Sequence, residues 1–517
     1  MSFISPPTSL SVELQLDFHN ANNATHPFIV YPMENGDLRT YTFADVVPKI
    51  HQVADFIQHQ LSSHSPSTIA FIATSDSLTS FMIIMGILRA GMTAFPVSPR
   101  FSPEVMSKLM MDVRPAYIMG EDKFMLIESY YDIYIKSSNA TTSRAWEDNE
   151  QSPICDPLFC YFRTISKDHK VQLRVHATKC GDHCNIDFVQ DDLCSKTFGM
   201  QGIEFFHFVG LAFINWAVRS GFIMAFLNLH DQKSLFPPHP SYVFQGYIQT
   251  RPSLIYASPR IIEAWAKDHE KISVLKSMTV TTAGKLLNKK VGDLLVQNGV
   301  RINVGFGSTE TGSICMMSCD QGSEWEYFYA PPVPEFHFME RPNFNGLYGL
   351  IVLSSRRRNL SVCNMTYNGT ASYDTGDLFE KHPIKSNYYK VIGRISDHIM
   401  LSTGEVINPI PIEEAISEQL GVSMVVVFGH GRPSVGAIIQ YAPHAAIDYD
   451  KGKTPTISNI LANIVDVNST LPSSARLTPK MVIVASPSKP LLLSPKGMPL
   501  RIQAFKDYEE EIMSVYS

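Results

Sequence analysis

Short apolar strands alternate with amphipathic helices along two stretches of the chain, and this alternation limits the possible folds more than any other feature of the sequence. The apolar runs predict strands at residues 68–73, 93–97, 117–119, 253–257, 278–282 and 301–304. Apolar residues at helical spacing predict helices at residues 42–57, 77–90, 103–111, 260–267 and 288–297. Because strands that alternate with helices form parallel sheets covered on both faces, the sequence predicts an α/β protein with two doubly wound subdomains.

The pattern changes from about Gly346, where short alternating strands separated by turn residues continue to residues 388–393. These strands predict a small β-barrel-like part at the end of a large N-terminal domain, which we place at residues 1–392. Beyond it, helices alternate with strands at residues 411–420, 424–428, 436–440 and 458–465. Residues 393–517 are therefore expected to form a small, mobile α+β domain.

Composition narrows the kinds of partner that the chain can have. Its 517 residues are 44% hydrophobic, which is enough to bury more than one core, and the net charge is −6. Nucleic-acid binding requires an excess of basic residues, so a small-molecule ligand is expected instead. No basic segment followed by an apolar run begins the chain, so a cytoplasmic location is predicted. The apolar run at residues 205–229 includes His207 and Arg219, which favours one or two buried helices over a membrane span.

The eight cysteines follow no regular spacing, and a large cytoplasmic chain has no need of disulfides, so most are expected to be buried thiols. One cluster offers soft metal ligands: His176, Cys180, His183 and Cys184. Its spacing matches no standard zinc pattern. The sequence leaves open whether these four side chains bind a metal.

A loop rich in glycine and hydroxyl groups follows the last predicted strand of the second stretch, at Gly305–Gly312. Glycines such as Gly307 let backbone N–H groups approach a phosphate closely, and Ser308 and Thr309 can donate hydrogen bonds to its oxygens. Glu310 supplies a carboxylate, which is a ligand that divalent cations bind. Open α/β sheets bind their ligands beyond the carboxyl ends of strands. The loop therefore predicts a nucleotide site.

Three further motifs follow in order at Tyr373–Leu378, Gly393–Asp397 and Ser494–Gly497. In this order and at this spacing, the motifs resemble those of the adenylate-forming superfamily, which includes acyl-CoA synthetases, luciferases and the adenylation domains of peptide synthetases. Residues 94–103 and 205–210 also resemble signatures in the adenylation region of fungal carboxylic-acid and amino-acid reductases. This resemblance covers nearly the whole chain.

The resemblance assigns nucleotide contacts to the Gly305–Gly312 loop. Phe306 would lie beside the adenine of ATP or AMP, with Gly307 next to it. Ser308 and Thr309 would contact the α-phosphate, and Glu310 would hold Mg²⁺.

The resemblance assigns further roles outside this loop. Asp377 would accept hydrogen bonds from both ribose hydroxyls, a task that suits an ionised carboxylate, and Arg394 would bind ribose or phosphate oxygens. Lys496 would swing in with the small domain and stabilise the charge that develops as the substrate carboxylate attacks the α-phosphate. His207 would border the acyl pocket. Lys496, Thr309 and His207 would form the catalytic set.

Two segments depart from the pattern of this family. Where relatives have a glycine-rich phosphate loop, this chain has residues 162–170, which contain no glycine. Four side chains there could bind the β- and γ-phosphates instead: Thr164, Ser166, Lys167 and Lys170. Lys285 stands where relatives have alanine, and it could either bring a cation to the site or point outward.

The resemblance therefore implies an ATP- and Mg²⁺-dependent enzyme that activates a carboxylic acid as its acyl-AMP. Since the chain ends about twenty residues beyond Lys496, it is expected to act without a carrier or reductase domain of its own. The acyl group would pass to CoA, to a carrier protein or to an amine, in a specialised biosynthetic pathway. The alternative, which the missing glycines favour, is a degenerate homologue that binds a ligand or a partner without ATP chemistry.

Overall fold

A computed structural model gives the fold of the chain. The structure describes residues 3–7, 10–33, 35–60, 67–72, 76–98, 101, 103–119, 124–126, 159–165, 171–177, 193–228, 239–315, 322–342, 344, 346–355, 358–360, 362–418, 421–442, 465–470, 476–493 and 499–516. The chain divides into two compact units. The first comprises Met1–His337, Ile351–Thr375 and Lys381–Lys390, and the second comprises Phe338–Leu350, Gly376–Glu380 and Val391–Ser517.

The strands are numbered along the described part of the chain as β1 (Pro27–Pro32), β2 (Leu38–Thr42), β3 (Thr68–Phe71), β4 (Thr93–Pro96), β5 (Tyr117–Met119), β6 (Phe124–Leu126), β7 (Phe159–Ile165), β8 (Val171–Ala177), β9 (Thr197–Gly199), β10 (Ile223–Ala225), β11 (Leu254–Tyr256), β12 (Thr279–Ala283), β13 (Arg301–Gly305), β14 (Gly307–Ser308), β15 (Gly312–Ser313), β16 (Tyr327–Tyr329), β17 (Phe336–Glu340), β18 (Tyr348–Leu353), β19 (Met365–Tyr367), β20 (Thr370–Lys381), β21 (Tyr388–Arg394), β22 (Ile399–Met400), β23 (Val406–Ile407), β24 (Val422–Phe428), β25 (Gly436–Tyr441) and β26 (Val482–Val484). The helices are α1 (Val12–Asn22), α2 (Phe43–Gln60), α3 (Ser77–Arg89), α4 (Pro103–Val113), α5 (Phe208–Ser220), α6 (Pro240–Thr250), α7 (Pro259–Trp265), α8 (His269–Leu275), α9 (Lys289–Gln297), α10 (Ile410–Ser417), α11 (Val465–Thr470), α12 (Arg501–Asp507) and α13 (Glu509–Val515). Short 3₁₀ helices lie at Gly322–Glu324, Ile395–Asp397 and Pro479–Met481.

The first unit contains a seven-stranded sheet in the order β13-β12-β11-β9-β10-β1-β2. Neighbouring strands run parallel except for the edge pair β1 and β2, which is antiparallel. The strands are short and several are apolar; β10, for example, is buried along its whole length. Continuous apolar runs of this kind are typical of parallel strands that helices cover on both faces. The strands predicted at 253–257, 278–282 and 301–304 are confirmed as β11, β12 and β13.

A second sheet of the first unit has the order β6-β5-β3-β4-β7-β8. Its four central strands run parallel, and the edge strands β6 and β8 are antiparallel to their neighbours. Helix α3 begins after Asp76, whose carboxylate accepts two N–H groups of the first helical turn at 2.9 and 3.1 Å. Helix α2 lies close to Gly86 of α3, where a Cβ atom would be only 2.4 Å from Val53 Cγ1. The alternation of strands and helices predicted at residues 68–119 is confirmed.

The apolar run at residues 205–229 forms a helix followed by a strand. Helix α5 ends before Gly221, which has the left-handed φ of 72°, and the buried strand β10 comes next. The prediction of a buried helix is confirmed for the first half and wrong for the second. A buried parallel strand and a buried helix both read as unbroken apolar runs, so the sequence did not separate them. Within the described ranges, no helix has the length and hydropathy that a membrane span requires.

Helix α1 packs against α5 around the fully buried side chain of His19. The His19 ring stacks on Phe43 with centroids 4.4 Å apart. Its Nε2 lies 2.5 Å from the carbonyl oxygen of Val218, which can only accept, so Nε2 carries the proton. Asn23 Nδ2 then donates to His19 Nδ1 at 2.8 Å. The neutral ring satisfies both contacts, and burial lowers the pKa of His19 to about 4.

We expect acid to destabilise the first unit through His19. Below about pH 6.5 the unfolded imidazole takes up a proton, whereas the folded protein keeps the ring neutral down to about pH 4. The stabilisation is therefore complete above the unfolded pKa and is lost as the pH falls. The free energy of unfolding should decrease by about 1.4 kcal/mol per pH unit between these two values.

Urea unfolding at several pH values between about 7 and about 5 measures this dependence. The His19→Gln variant should show a flatter pH dependence than the wild type. His59→Gln, at an exposed position of α2, provides the control and should keep the wild-type slope. Equal slopes for His19→Gln and wild type would contradict the assignment.

Short antiparallel pairs complete the first unit, β16 with β21 and β19 with β20. Strands β19, β20 and β21 lie in the part of the chain where the pattern after Gly346 predicts them, whereas β16 lies before it.

The buried ring of His382 makes hydrogen bonds through both of its nitrogens. Its Nε2 lies 2.9 Å from Glu324 Oε1. Its Nδ1 accepts the N–H groups of Ile384 and Lys385 at 3.1 and 3.0 Å.

The second unit has an α+β arrangement. Strands β24 and β25 are antiparallel, and β25 and β26 are parallel. Alternate residues of β24 face two cores: Val425 and Val427 lie in the core with α10, whereas Met424 and Val426 lie in the core with α12. The helix predicted at 411–420 is α10, while residues 458–464 lie outside the described residues. The boundary expected between residues 392 and 393 stays a prediction.

A largely buried ion pair joins α10 to α12. Arg501 donates from Nη1 and Nη2 to the two carboxylate oxygens of Glu413 at 2.6 and 2.5 Å. The two side chains are 16% and 13% exposed. Glu413 Oε1 also accepts the N–H group of Val427 at 2.8 Å, so one carboxylate links both helices to the edge strand β24.

Candidate active site

A tight hairpin follows directly after β13 in the first unit. Strands β14 and β15 pair antiparallel, with Gly307 opposite Ser313 and Ser308 opposite Gly312. A Cβ atom on Gly307 would lie 2.5 Å from the carbonyl oxygen of Gly312, and Gly312 has a φ of 78°. Only glycine fits both positions without strain. The predicted loop is therefore a compact turn at the carboxyl end of a parallel strand.

Hydroxyl groups fix the turn of this hairpin from within. The N–H group of Thr311 donates to Ser308 Oγ at 3.1 Å, and the two side-chain hydroxyls lie 3.0 Å apart. Thr309 and Glu310 occupy the turn between them and are half-buried. The Ser308 hydroxyl therefore has a structural role beside the phosphate contact that the sequence predicts.

The metal-binding groups on the side chains of the hairpin are all oxygens: the carboxylate of Glu310 and the hydroxyls of Ser308, Thr309, Thr311 and Ser313. Mg²⁺ prefers such oxygen ligands and usually binds through one or two carboxylates together with substrate phosphates. The donor set therefore fits the predicted Mg²⁺ and a phosphate, and it does not fit a soft metal.

Phe306 is held at the entrance of the hairpin by backbone and ring contacts. Its ring lies parallel to Phe328, with an interplanar angle of 13° and centroids 5.5 Å apart. Its N–H group donates to Cys315 Sγ at 3.1 Å, and its carbonyl oxygen accepts the N–H group of Ile314 at 2.9 Å. Burial raises the pKa of the Cys315 thiol. Sequence reasoning took Cys315 for an ordinary buried thiol and missed its bond to Phe306.

Arg358 holds the other end of the hairpin. Its Nη1 donates to the carbonyl oxygens of Thr311 and Ser313 at 2.6 and 3.2 Å. The side chain is buried, and its guanidinium lies 4.8 Å from the ring centroid of Phe336. Three consecutive arginines, as at residues 356–358, predict a solvated turn. This prediction is wrong for Arg358, which is buried, and residues 356–357 lie outside the described residues.

Asp377 and Arg394 form an ion pair in the second unit. Arg394 Nε lies 3.3 Å from Asp377 Oδ1, and the side chains are 42% and 10% exposed. Asp377 lies on β20 directly after Gly376, which has a φ of 66°, and Arg394 ends β21. The carbonyl oxygen of Arg394 accepts from His398 Nδ1 at 2.7 Å, which fixes the backbone at this point. The structure thus brings together two residues that the sequence assigns to ribose and phosphate binding.

His207 lies at the N-cap of α5 and makes no capping hydrogen bond with its side chain. Its Nε2 lies 3.4 Å from Glu204 Oε2, and 42% of the imidazole is exposed. The predicted contact of His207 with an acyl group stays a prediction. Lys285 has an exposed side chain after Gly284, which has a φ of 87°.

Several predicted site residues lie outside the described part of the chain. Lys496 belongs to residues 494–498, whose flanking residues Leu493 and Pro499 form an antiparallel β-bridge. The substitute phosphate-binding side chains Ser166, Lys167 and Lys170 also lie outside the description, as do Cys180, His183 and Cys184 of the possible metal cluster. In the segments that are described, no group of three or more His, Cys, Asp or Glu side chains could hold a metal.

Comparison with known proteins shows two family matches, to an AMP-binding enzyme model at residues 16–157 and to an AMP-binding enzyme C-terminal domain model at residues 396–517. The adenylate-forming reductase Nps10 of Heterobasidion annosum is 27% identical over 100% of this chain and 50% of its own length. The chain spans about half the length of the curated relatives that it matches from end to end.

Two solved structures share the fold. The A domain of a carboxylic acid reductase from Segniliparus rugosus, in complex with AMP and a co-purified carboxylic acid, has a TM-score of 0.68 at 14% identity, over 99% of this chain and 94% of that one. The anthranilate CoA ligase AuaEII, in complex with anthranoyl-AMP, also has a TM-score of 0.68, at 16% identity, over 97% of this chain and 98% of that one. At this level of identity, the likeness shows the fold alone.

Proposed function

We propose that this chain, which belongs to the AMP-binding superfamily of adenylate-forming enzymes, activates a carboxylic acid with ATP as an acyl-adenylate. The observation that carries the proposal is the β14–β15 hairpin. It follows a parallel strand, and its turn, which Gly307 and Gly312 allow to be tight, carries two hydroxyls and a carboxylate. These are the groups that a nucleotide phosphate and its cation require.

In the proposed reaction, a carboxylate oxygen of the acid attacks the α-phosphorus of ATP. The bond to the bridging oxygen breaks, and pyrophosphate leaves with its electron pair. Ser308 and Thr309 would donate hydrogen bonds to the α-phosphate, where negative charge increases in the transition state. Mg²⁺ held by Glu310 would supply positive charge to the phosphates.

The ion pair in the second unit would hold the sugar. An ionised Asp377 can accept from two ribose hydroxyls while Arg394 balances its charge, since a carboxylate has about four lone-pair sites. The half-exposed Arg394 would also reach ribose or phosphate oxygens. Phe306 would lie beside the adenine, because its backbone is fixed and its ring is already stacked on Phe328.

A thiol or an amine would then attack the acyl carbon of the adenylate, and AMP would leave with the electron pair of the acyl–oxygen bond. CoA, a carrier protein and a free amine are the candidate acceptors, and a specialised biosynthetic pathway is the proposed setting. The names of relatives, an adenylate-forming reductase and a CoA ligase among them, support acceptors of this class.

Exchange of labelled pyrophosphate into ATP, measured across a panel of carboxylic acids, tests the proposal. Acid-dependent exchange is expected, because adenylate formation is reversible. If the purified protein bound AMP and yet supported no exchange with any acid, the non-catalytic alternative would replace the proposal. Omitting Mg²⁺ provides the control for the role of Glu310.

We expect Asp377→Ala to weaken the binding of both ATP and AMP by about 1.5–3 kcal/mol, because it removes a charge-assisted hydrogen bond to the ribose. Titration calorimetry with each nucleotide measures the loss. Asp55→Ala, at an exposed position of α2, should bind as the wild type does. Unchanged nucleotide affinity in a folded Asp377→Ala protein would exclude the ribose assignment.

A further inference from the structure

Arg358 contacts the hairpin on both sides of Gly312, whose φ of 78° favours glycine. The carbonyl groups of Thr311 and Ser313, on either side of Gly312, both accept from the same Nη1 atom. These two carbonyl groups are therefore fixed in direction by one cation. The N–H group of Ile314, in the same peptide group as the Ser313 carbonyl, donates to the carbonyl oxygen of Phe306 at 2.9 Å, so this peptide group is held on both sides. A backbone that binds an anion must turn N–H groups toward it, and the turn between the two strands can keep such an orientation only while the strands that flank it are fixed.

The guanidinium is itself held rigidly. Its side chain is 7% exposed and lies over the ring of Phe336. The N–H group of Arg358 donates to Ser355 Oγ at 3.0 Å, and the N–H group of Ser355 donates to the carbonyl oxygen of Arg358 at 2.9 Å. Ser355 Oγ in turn donates to Glu335 Oε1 at 2.7 Å. The turn from Ser355 to Arg358 therefore holds the guanidinium against the hairpin before any ligand binds.

Burial of a charged group is costly unless hydrogen bonds compensate for it, and a merely structural contact could be made by a neutral side chain. A guanidinium also differs from an ammonium, because its planar donors stay in a fixed geometry and it stacks on an aromatic ring. The buried cation therefore both shapes the hairpin and adds positive charge beside Thr311 and Ser313.

We propose that Arg358 is a positioning residue for the nucleotide: it sets the backbone of residues 307–313 in the conformation that receives the phosphate, and its charge favours phosphate binding there. This inference rests on the proposed function. Loss of the guanidinium should weaken the binding of ATP and of AMP by about 10- to 100-fold, as expected for hydrogen bonds that involve a charged group. The KM for the acid should remain unchanged.

Three variants test the proposal in the full chain: Arg358→Met, Arg358→Lys and, as a control, Arg301→Met at the exposed start of β13. Calorimetry with ATP and AMP, pyrophosphate exchange, and amide hydrogen exchange of residues 307–313 are the measurements. We expect faster hydrogen exchange and a higher KM for ATP in Arg358→Met. Arg358→Lys should recover part of the affinity through its charge but keep the faster hydrogen exchange. Arg301→Met should match the wild type.

The outcomes separate this inference from the proposed function. Suppose that the wild type catalyses pyrophosphate exchange, and that Arg358→Met has the wild-type KM for ATP and the wild-type rate of amide hydrogen exchange at residues 307–313. The inference is then wrong and the proposed function stands. If Arg358→Met does not fold, Arg358→Lys is the deciding variant. Wild-type nucleotide affinity and wild-type amide hydrogen exchange of residues 307–313 in Arg358→Lys would overturn the inference. If the wild type catalyses no exchange, the proposed function fails, while nucleotide affinity and hydrogen exchange in the variants still test the role of Arg358.

Discussion

Replacing Lys496 with alanine is expected to slow formation of the acyl-adenylate by about 10²- to 10³-fold, which is the usual loss when one transition-state charge contact is removed. A mobile ammonium group would stabilise the charge that develops on the α-phosphate as the carboxylate attacks. It would move away with the small domain before the acyl group passes from AMP to its acceptor. Transfer from supplied acyl-AMP should therefore proceed at the wild-type rate. Single-turnover measurements of the two half-reactions, with a thiol or amine acceptor, make the comparison.

The matched control is Lys506→Ala, which removes an exposed lysine from α12. Both half-reactions should be unaffected in that protein. Lys496 would lose its assigned role if the alanine variant formed adenylate from acid and ATP as fast as the wild type does. Equal loss in both half-reactions would indicate damage to the second unit as a whole.

Breaking the pair between Glu413 and Arg501 should destabilise the second unit by about 3 kcal/mol, because removal of one partner leaves a buried charge without compensation. Glu413→Gln tests the charge alone, since the amide oxygen of glutamine can still accept the N–H group of Val427. The double variant Glu413→Gln/Arg501→Met should lose less than the sum of the single losses, because it leaves no charge unpaired.

Amide hydrogen exchange of β24 and β25 in the full chain measures this loss in the second unit alone. Glu418→Gln, at the exposed end of the same helix, should have no effect beyond about 0.5 kcal/mol. If the amides of β24 and β25 exchanged as slowly in Glu413→Gln as in the wild type, the ion pair would contribute nothing to stability.

The sequence predicts much of the α/β architecture, because each of its elements leaves a local signal. Strand β3, helix α3 and strand β4 follow from two short apolar runs and from apolar residues at helical spacing between them, within residues 68–97. The hairpin after β13 follows in the same way from glycines at fixed positions. Where one kind of run fits two structures, as at 205–229, the local signal is ambiguous, and β10 was taken for helix.

Contacts between residues far apart in the chain leave no such signal. Arg358 bonds to carbonyl groups 45 and 47 residues earlier, and an arginine run by itself reads as a solvated turn. Cys315 likewise reads as an ordinary thiol until its bond to Phe306 is seen. The groups proposed to touch a ligand were predicted from their chemistry and the resemblance, whereas the groups that hold them in place required the fold.

The second unit is assembled from three separate stretches of chain, and this restricts how relatives can be recombined. A chimera that took only residues 391–517 from another parent would pair a foreign Arg394 with the resident Asp377. It would also set a foreign His398 against the resident Phe344, whose ring centroids lie 5.8 Å apart here. Recombination that preserves these contacts must carry residues 338–350 and 376–380 along with the C-terminal stretch.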